Sequence, residues 1–88
     1  MLKKGNIDGF VYEVDTIVLD DMELMDAIAA AQGEDPLQIS TVVLKVLGKE
    51  QRKKLYDHLR TEDGRVPTEA VSEIVGRIME NLGTEGKN

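Results

Sequence analysis

The first regular pattern of apolar residues lies near the N-terminus and has the period of a β-strand. Large apolar side chains stand at every second position, at Phe10, Tyr12 and Val14. Asp8-Gly9 comes just before them, and Asp-Gly between two short segments is the strongest local signal for a two-residue hairpin turn. We therefore predict strands near 2–7 and 10–14. Because an isolated hairpin is barely stable, we expect it to pack on helices.

The apolar period changes to that of a helix after residue 20. Asp20 is predicted to be the N-cap, with Glu23 as its capping-box partner three residues later. Apolar side chains then follow on one side of the predicted helix at Leu24, Met25, Ile28 and Ala31. Gly33 is predicted to end this helix.

The next segment is the most apolar part of the chain. Asp35 is predicted to cap it, and Pro36 stands at the first helical position, where its missing N–H costs little. Its apolar residues cover more than half of a helix circumference: Leu37, Ile39, Val42, Val43, Leu44, Val46 and Leu47. We therefore predict a buried helix at 37–47. The β-branched Thr41-Val42-Val43 run leaves a strand as the alternative.

Two further helices are predicted after Gly48. The third, at about 49–60, has Leu55, Leu59 and the ring of Tyr56 as its only large apolar groups. A turn at Asp63-Gly64 follows it. The fourth helix is predicted from Pro67 to about Leu82, with its apolar stripe at Val71, Ile74, Val75, Ile78, Met79 and Leu82. The predicted fold class is mainly α (α+β): a short N-terminal β-hairpin packed on a compact bundle of about four helices.

The length of the chain limits this fold to one small domain. At 88 residues the protein is predicted to have a single domain at 1–83, followed by a disordered tail at 84–88. A chain of this size has a modest core, so a partner could contribute to stability. The absence of cysteine excludes disulfides and thiolate metal sites. The longest apolar runs are far shorter than a bilayer span, which predicts a cytoplasmic protein without membrane contact.

Charge is unevenly distributed along the chain. Residues 5–44 contain nine acids and no Lys or Arg, whereas residues 45–60 contain six bases and two acids. At helical spacing, Lys49, Arg52, Lys53, Tyr56 and Arg60 form one basic, partly aromatic face, a mix of residues that is enriched at protein interfaces. This face is the predicted partner-binding surface, with Val71 and Ile78 of the last apolar stripe as a second contact. A solvated helix face is the alternative.

The sequence contains no set of residues suited to catalysis, to a cofactor or to a metal. If Gly64 were the invariant glycine of a calcium loop, Leu59 and Ala70 would occupy two essential ligand positions. His58 is the only histidine, so it cannot complete a zinc site with the neighbouring acids. No serine lies in a nucleophile elbow, and no glycine-rich phosphate loop follows a strand. We therefore predict a protein that is not an enzyme.

The overall charge argues against a nucleic-acid partner. The basic third helix with Tyr56 could face a phosphate backbone, as in helix-turn-helix proteins. However, the formal net charge of −6 and the unopposed acids of residues 5–44 would repel a polyanion. The expected partner is a protein, and the separation of charge also allows copies of the chain to associate.

The order of several segments resembles a known family. These segments are 9–15 (GFVYEVD), 19–25 (LDDMELM), 35–37 (DPL), 47–51 (LGKEQ), 55–60 (LYDHLR) and 62–67 (EDGRVP). Together they are similar to the tail assembly chaperones of long-tailed, non-contractile bacteriophages, the siphophages. The similarity extends over most of residues 9–82 and consists of ordinary residues without a catalytic signature.

This resemblance implies a specific role. Members of the family bind the tape measure protein in the host bacterial cytoplasm, keep it soluble, recruit tail tube subunits and are absent from the mature virion. Many are also made as a longer, frameshifted product. The resemblance supplies no catalytic or binding residue for this chain. A small acidic helical regulatory or antitoxin-like interaction module is the alternative function.

Overall fold

The computed structural model describes residues 1–84 and contains a hairpin and three α-helices in that range. The strands are β1 (Leu2–Ile7) and β2 (Phe10–Asp15), and the helices are α1 (Met22–Gln32), α2 (Ile39–Leu59) and α3 (Thr68–Thr84). Short 3-10 turns at Thr16–Leu19 and Pro36–Gln38 precede α1 and α2. An N-terminal hairpin joined to a mainly helical domain is thus confirmed. The sequence predicts a disordered tail at 84–88. In the structure Thr84 is the last residue of α3, and residues 85–88 lie outside the described part of the chain.

The hairpin has the register that the Asp-Gly turn predicts. Ile7 pairs with Phe10 beside the turn, and Asp8 and Gly9 both have positive φ, 52° and 90°, as in a type I′ turn. Alternate side chains of β2 face the helices, so Tyr12 and Val14 are buried together with Ile7 and Phe10. One face of the hairpin therefore belongs to the core.

Tyr12 joins the hairpin to α3 and requires a glycine opposite it. Gly5 is the direct cross-strand partner of Tyr12, and a Cβ atom on Gly5 would overlap the Oη and Cζ atoms of the tyrosine ring. The ring can therefore lie across β1, where Asn81 Nδ2 donates a hydrogen bond to Tyr12 Oη over 3.2 Å. Lys3 Nζ donates to the Asn81 carbonyl over 2.9 Å.

The outer edge of β2 is covered by a side chain of α2. Gln51 Nε2 donates to the Glu13 carbonyl over 2.8 Å, and the Glu13 N–H donates to Gln51 Oε1 over 2.7 Å. The amide therefore pairs with both backbone groups, as a neighbouring strand would. His58 Nε2 lies 3.0 Å from the Asp8 carbonyl and holds α2 to the other end of the hairpin.

The N-cap of α1 is Asp21, so the predicted cap at Asp20 is wrong by one residue. Asp21 Oδ1 accepts hydrogen bonds from the N–H groups of Glu23 and Leu24, at 2.9 and 3.3 Å. Asp20 belongs to the preceding 3-10 turn, where its N–H donates to the Ile17 carbonyl over 3.0 Å. Gly33 follows the last residue of α1, as predicted.

The predicted count of four helices is wrong because two of them form one element. Residues 39–59 run on as α2, with Gly48 in the middle at φ 78° and ψ 171°, far from helical values. The helical backbone is therefore interrupted at Gly48, and the two halves of α2 meet there at a kink. The strand alternative for 41–43 is also wrong, because these residues are helical.

The predicted burial of 37–47 holds for one side of that segment only. Val42, Val43, Val46 and Leu47 are buried, whereas Leu37 is 82% exposed and Leu44 is 38% exposed. The core also receives Leu24 from α1, Leu55 from the second half of α2 and a stripe from α3. That stripe is Val71, Ile74, Val75, Ile78 and Leu82. No polar or charged residue among 1–83 is buried.

Replacing Gly5 with alanine is expected to destabilise the protein by about 1–3 kcal/mol, the usual cost of overpacking a core. The new methyl group would displace the buried Tyr12 ring from β1. Chemical denaturation measures the loss. Because Oη, Cζ and Cε2 of Tyr12 would all overlap the new methyl group, the Gly5→Ala/Tyr12→Leu double variant, which lacks these three atoms, should lose less than the two single changes added together. Strictly additive losses would mean that this contact does not limit residue 5.

Replacing Gly48 with alanine should cost about 1–3 kcal/mol, although alanine favours helices, because its backbone angles are available almost only to glycine. Gly76→Ala in α3 is the matched control. No atom lies within 4 Å of a Cβ placed there, so this change should stabilise the protein by about 0.5–1 kcal/mol. Thermal unfolding of both variants checks the opposite signs. Two shifts of the same sign would contradict the bend in α2.

Candidate functional site

A continuous apolar depression lies between α1, the first half of α2 and α3. It consists of two adjoining cavities of about 610 and 390 Å³, and Pro36, Ile39 and Thr68 line both of them. We call the two cavities together the apolar groove. It exists because α1 and α3 each pack against α2, and the side of α2 between them is left uncovered.

The lining of the groove is mostly apolar, and its polar members are Gln32, Ser40, Thr68, Ser72 and Glu80. Val42 and Val75 form the floor of the larger cavity, and Val43 and Val71 form the floor of the smaller one. Half-buried side chains make the walls: Ile28, Ile39, Tyr56, Val66 and Met79. A concave, apolar surface of this kind is the usual form of a binding site.

Leu37 stands at the edge of the smaller cavity and is the most exposed large apolar residue in the described chain, at 82%. Its side chain points away from the core, and no other part of the described chain covers it. A contiguous exposed apolar surface is the mark of an interaction site. Leu37 therefore extends the groove outward.

One wall of the groove is low, because the residues that form it on α3 are small. Thr68, Ser72 and Gly76 line it from α3, four residues apart and on the same side of the helix. All three are exposed and small. Another backbone can therefore approach α3 more closely here than where long side chains stand.

The predicted basic face of α2 divides into paired and unpaired cations. Lys53 Nζ lies 2.9 Å from Asp57 Oδ2, and Arg60 Nη2 lies 3.1 Å from Asp57 Oδ1. Arg60 also donates to the Gly64 carbonyl over 3.0 Å and holds the turn after α2. Lys53 and Arg60 therefore already have partners within α2 and the turn that follows it. The four-residue spacing of Lys53 and Asp57 is a signal for this pair that the sequence already contains.

The unpaired cations lie next to the groove. Within residues 1–84, Lys49, Arg52 and Lys54 form no ion pair. Arg52 is one helical turn before Tyr56 and Lys49 is two turns before it, on the same side of α2. Tyr56 itself lines the smaller cavity. Positive charge without a partner thus borders the Tyr56 end of the apolar groove.

Two of the predicted contact residues point inward. Val71 is 5% exposed and Ile78 is 0% exposed. Val71 contributes to the groove floor, and Ile78 lies in the core. The apolar stripe of α3 therefore holds the domain together, and its neighbours Thr68, Ser72 and Gly76 form the accessible wall instead. Sequence periodicity finds the stripe, but it does not reveal which of its edges remains open.

The turn between α2 and α3 is held by hydrogen bonds among its own residues. Thr61 Oγ1 donates to Asp63 Oδ1, and Arg65 Nε donates to Asp63 Oδ2 over 2.8 Å. These two interactions, the Thr61 bond first, hold the pKa of the Asp63 carboxyl below its usual range. The turn places Val66 in the wall of the groove.

Neither a metal site nor a membrane span is found in the part of the chain that the structure describes. Among residues 1–84, no three His, Asp or Glu side chains are grouped so that they could hold a metal ion. None of the helices there is both long enough and apolar enough to cross a bilayer. His58 contacts the hairpin, where its ring centroid lies 6.1 Å from that of Phe10.

Comparisons with family models, curated proteins and solved structures find no match to this chain.

The carboxyl of Asp57 should titrate below its ordinary pKa of 3.8, because Lys53 and then Arg60 donate hydrogen bonds to its charged form. A lowered pKa gives stability that is present above the unfolded-state value and is lost as the pH falls through the folded-state value. NMR titration measures the midpoint. Lys53→Met should raise it more than Arg60→Met, and Lys49→Met should leave it unchanged. A midpoint at or above 3.8 would contradict these pairs.

Proposed function

We propose that this protein is a phage tail assembly chaperone without enzymatic activity, and that it binds the tape measure protein of its phage through the apolar groove. The groove is the observation that carries the proposal. It offers an open, apolar surface in a small domain whose described residues form no metal-ligand cluster. The resemblance to siphophage chaperones supplies the identity of the partner.

The dimensions of the groove suit a helix. Along α3 it extends from Thr68 to Glu80, which at 1.5 Å per residue is about 18 Å, or just over three helical turns. An amphipathic helix of that length presents apolar side chains at positions i, i+3, i+4 and i+7 to such a groove. A tape measure protein is a long, helical and partly apolar chain, so it can offer many such segments.

The role that follows is protection during assembly. Covering apolar stripes of the tape measure protein would keep it soluble in the host cytoplasm until tail tube subunits replace the chaperone. The protein would then be absent from the mature virion. Tail tube subunits are the second proposed partner, and association between chaperone copies would let them cover a long chain.

Co-expression with the long helical protein encoded beside this gene tests the proposal. Tagged wild-type protein should capture that neighbour and keep it in the soluble fraction. Leu37→Asp should reduce capture about tenfold or more, since it places a charge in the groove, and its melting temperature should stay near that of the wild type because Leu37 is exposed.

Met22→Asp is the matched control, because Met22 is a second exposed apolar residue, 70% exposed and outside the groove. This variant should capture the neighbour as the wild type does. Equal loss in both variants would remove the groove from the proposal. Capture of a small toxin-like neighbour instead would favour the regulatory or antitoxin-like alternative.

A further inference from the structure

Gly76 has no structural role within the described chain that explains a glycine. It lies in the interior of α3, where glycine is less favourable than alanine because it gives up more backbone freedom. A Cβ atom added to it would meet no atom within 4 Å. Neither packing nor helix formation within this domain therefore accounts for the glycine at position 76.

The position of Gly76 indicates what a side chain there would obstruct. It lines the larger cavity of the apolar groove, across from Ile28 and Ala31 of α1. Ser72 and Thr68 continue the low wall one and two turns earlier. The distance between two packed helices depends on the side chains at their contact, so the exposed backbone at Gly76 allows an unusually close crossing.

The charges around the groove differ between its two ends. Arg52 and Lys49, which form no ion pair within residues 1–84, lie on the Tyr56 side of α2, whereas no Lys or Arg lines either cavity. An occupant with carboxylates at the Tyr56 end would be attracted by these two cations, and one with cationic side chains there would be repelled. The groove is therefore electrostatically directional.

We infer that the apolar groove binds one amphipathic helix in a single direction, with its backbone crossing α3 in contact with Gly76 and its acidic end beside Arg52 and Lys49. The occupant is a helix of a partner protein with a small residue at the crossing. The identity of the partner rests on the proposed function, whereas the contact at Gly76 is inferred from the groove itself.

The test uses a designed helix, so it does not require the natural partner. The probe is a peptide of about 20 residues, long enough to be helical, with an apolar stripe, an alanine at the crossing and glutamates at one end. A second peptide carries lysines in place of those glutamates. Fluorescence anisotropy measures the affinity of both for the wild type and for two variants of the full chain.

The first variant is Gly76→Leu, and Gly83→Leu is its matched control. Both glycines are exposed in α3 and neither has an atom within 4 Å of an added Cβ, but Gly83 does not line the groove. Leucine favours helices, so Gly76→Leu in the helix interior should raise the melting temperature by about 4 °C, and Gly83→Leu, next to the last described residue of α3, should raise it less. Gly76→Leu should nevertheless weaken peptide binding about tenfold or more, and Gly83→Leu should change it by less than about twofold.

The charge component is tested with Arg52→Glu. Wild-type protein should bind the glutamate peptide about fivefold or more tightly than the lysine peptide, and this preference should shrink in high salt and reverse in Arg52→Glu. No preference between the peptides would overturn the directional part of the inference. Unchanged binding by Gly76→Leu would overturn the close crossing.

Two outcomes separate this inference from the proposed function. Capture of the tape measure protein that Gly76→Leu does not affect would overturn the inference and leave the function standing. Peptide binding that is lost in Gly76→Leu, without any capture of the tape measure protein, would support the inference and overturn the function. If the wild type does not bind the peptide at about 1 mM, or if Gly76→Leu only separates a dimer into monomers, the groove does not take a partner helix.

Discussion

The apolar contacts that α2 makes with α1, α3 and β2 are the interactions on which the rest of the structure depends. Its first half contributes Val42, Val43 and Val46 to the core, and its second half contributes Leu55. α1, α3 and β2 all pack against it. Because an 88-residue chain can build only one core, α1, α3 and β2 are stabilised largely through this helix, whereas β1 is held by β2 and α3.

Gly48 allows a single helix to serve all of these neighbours. A straight helix presents one stripe to one side, whereas the backbone at Gly48 bends α2 so that its two halves face different partners. The first half meets α1, where Lys45 Nζ lies 3.2 Å from Asp21 Oδ2. The second half meets the hairpin through Gln51 and His58. The bend is therefore a structural requirement of the fold.

The apolar groove is a consequence of the same arrangement. A central helix in a small domain has more apolar surface than three short neighbours can cover, and the uncovered part lies between α1 and α3. The cations in the second half of α2 likewise divide into paired and unpaired ones. Lys53 and Arg60 are held by Asp57, whereas Arg52 and Lys49 form no ion pair among the described residues and stay available to a partner. Binding without chemistry needs little more than such an apolar surface with a charged border.

The sequence alone determined the local parts of this structure. The period-two pattern and the Asp8-Gly9 turn located the hairpin, and the helical stripes located the apolar faces of α1, α2 and α3, because these signals depend on residues only a few positions apart. The basic character of the second half of α2 was equally visible. These features could be predicted because neighbouring residues decide them.

Only the tertiary structure decided the remaining features, because they depend on contacts between distant parts of the chain. The cap of α1 is Asp21, whose Oδ2 accepts a hydrogen bond from Lys45 Nζ of α2, 24 residues away, and the two halves of α2 meet at a kink at Gly48. Leu37 became exposed, and Val71 and Ile78 became buried. The groove itself arises from where α1 and α3 lie around α2, and no local pattern of residues encodes that relation.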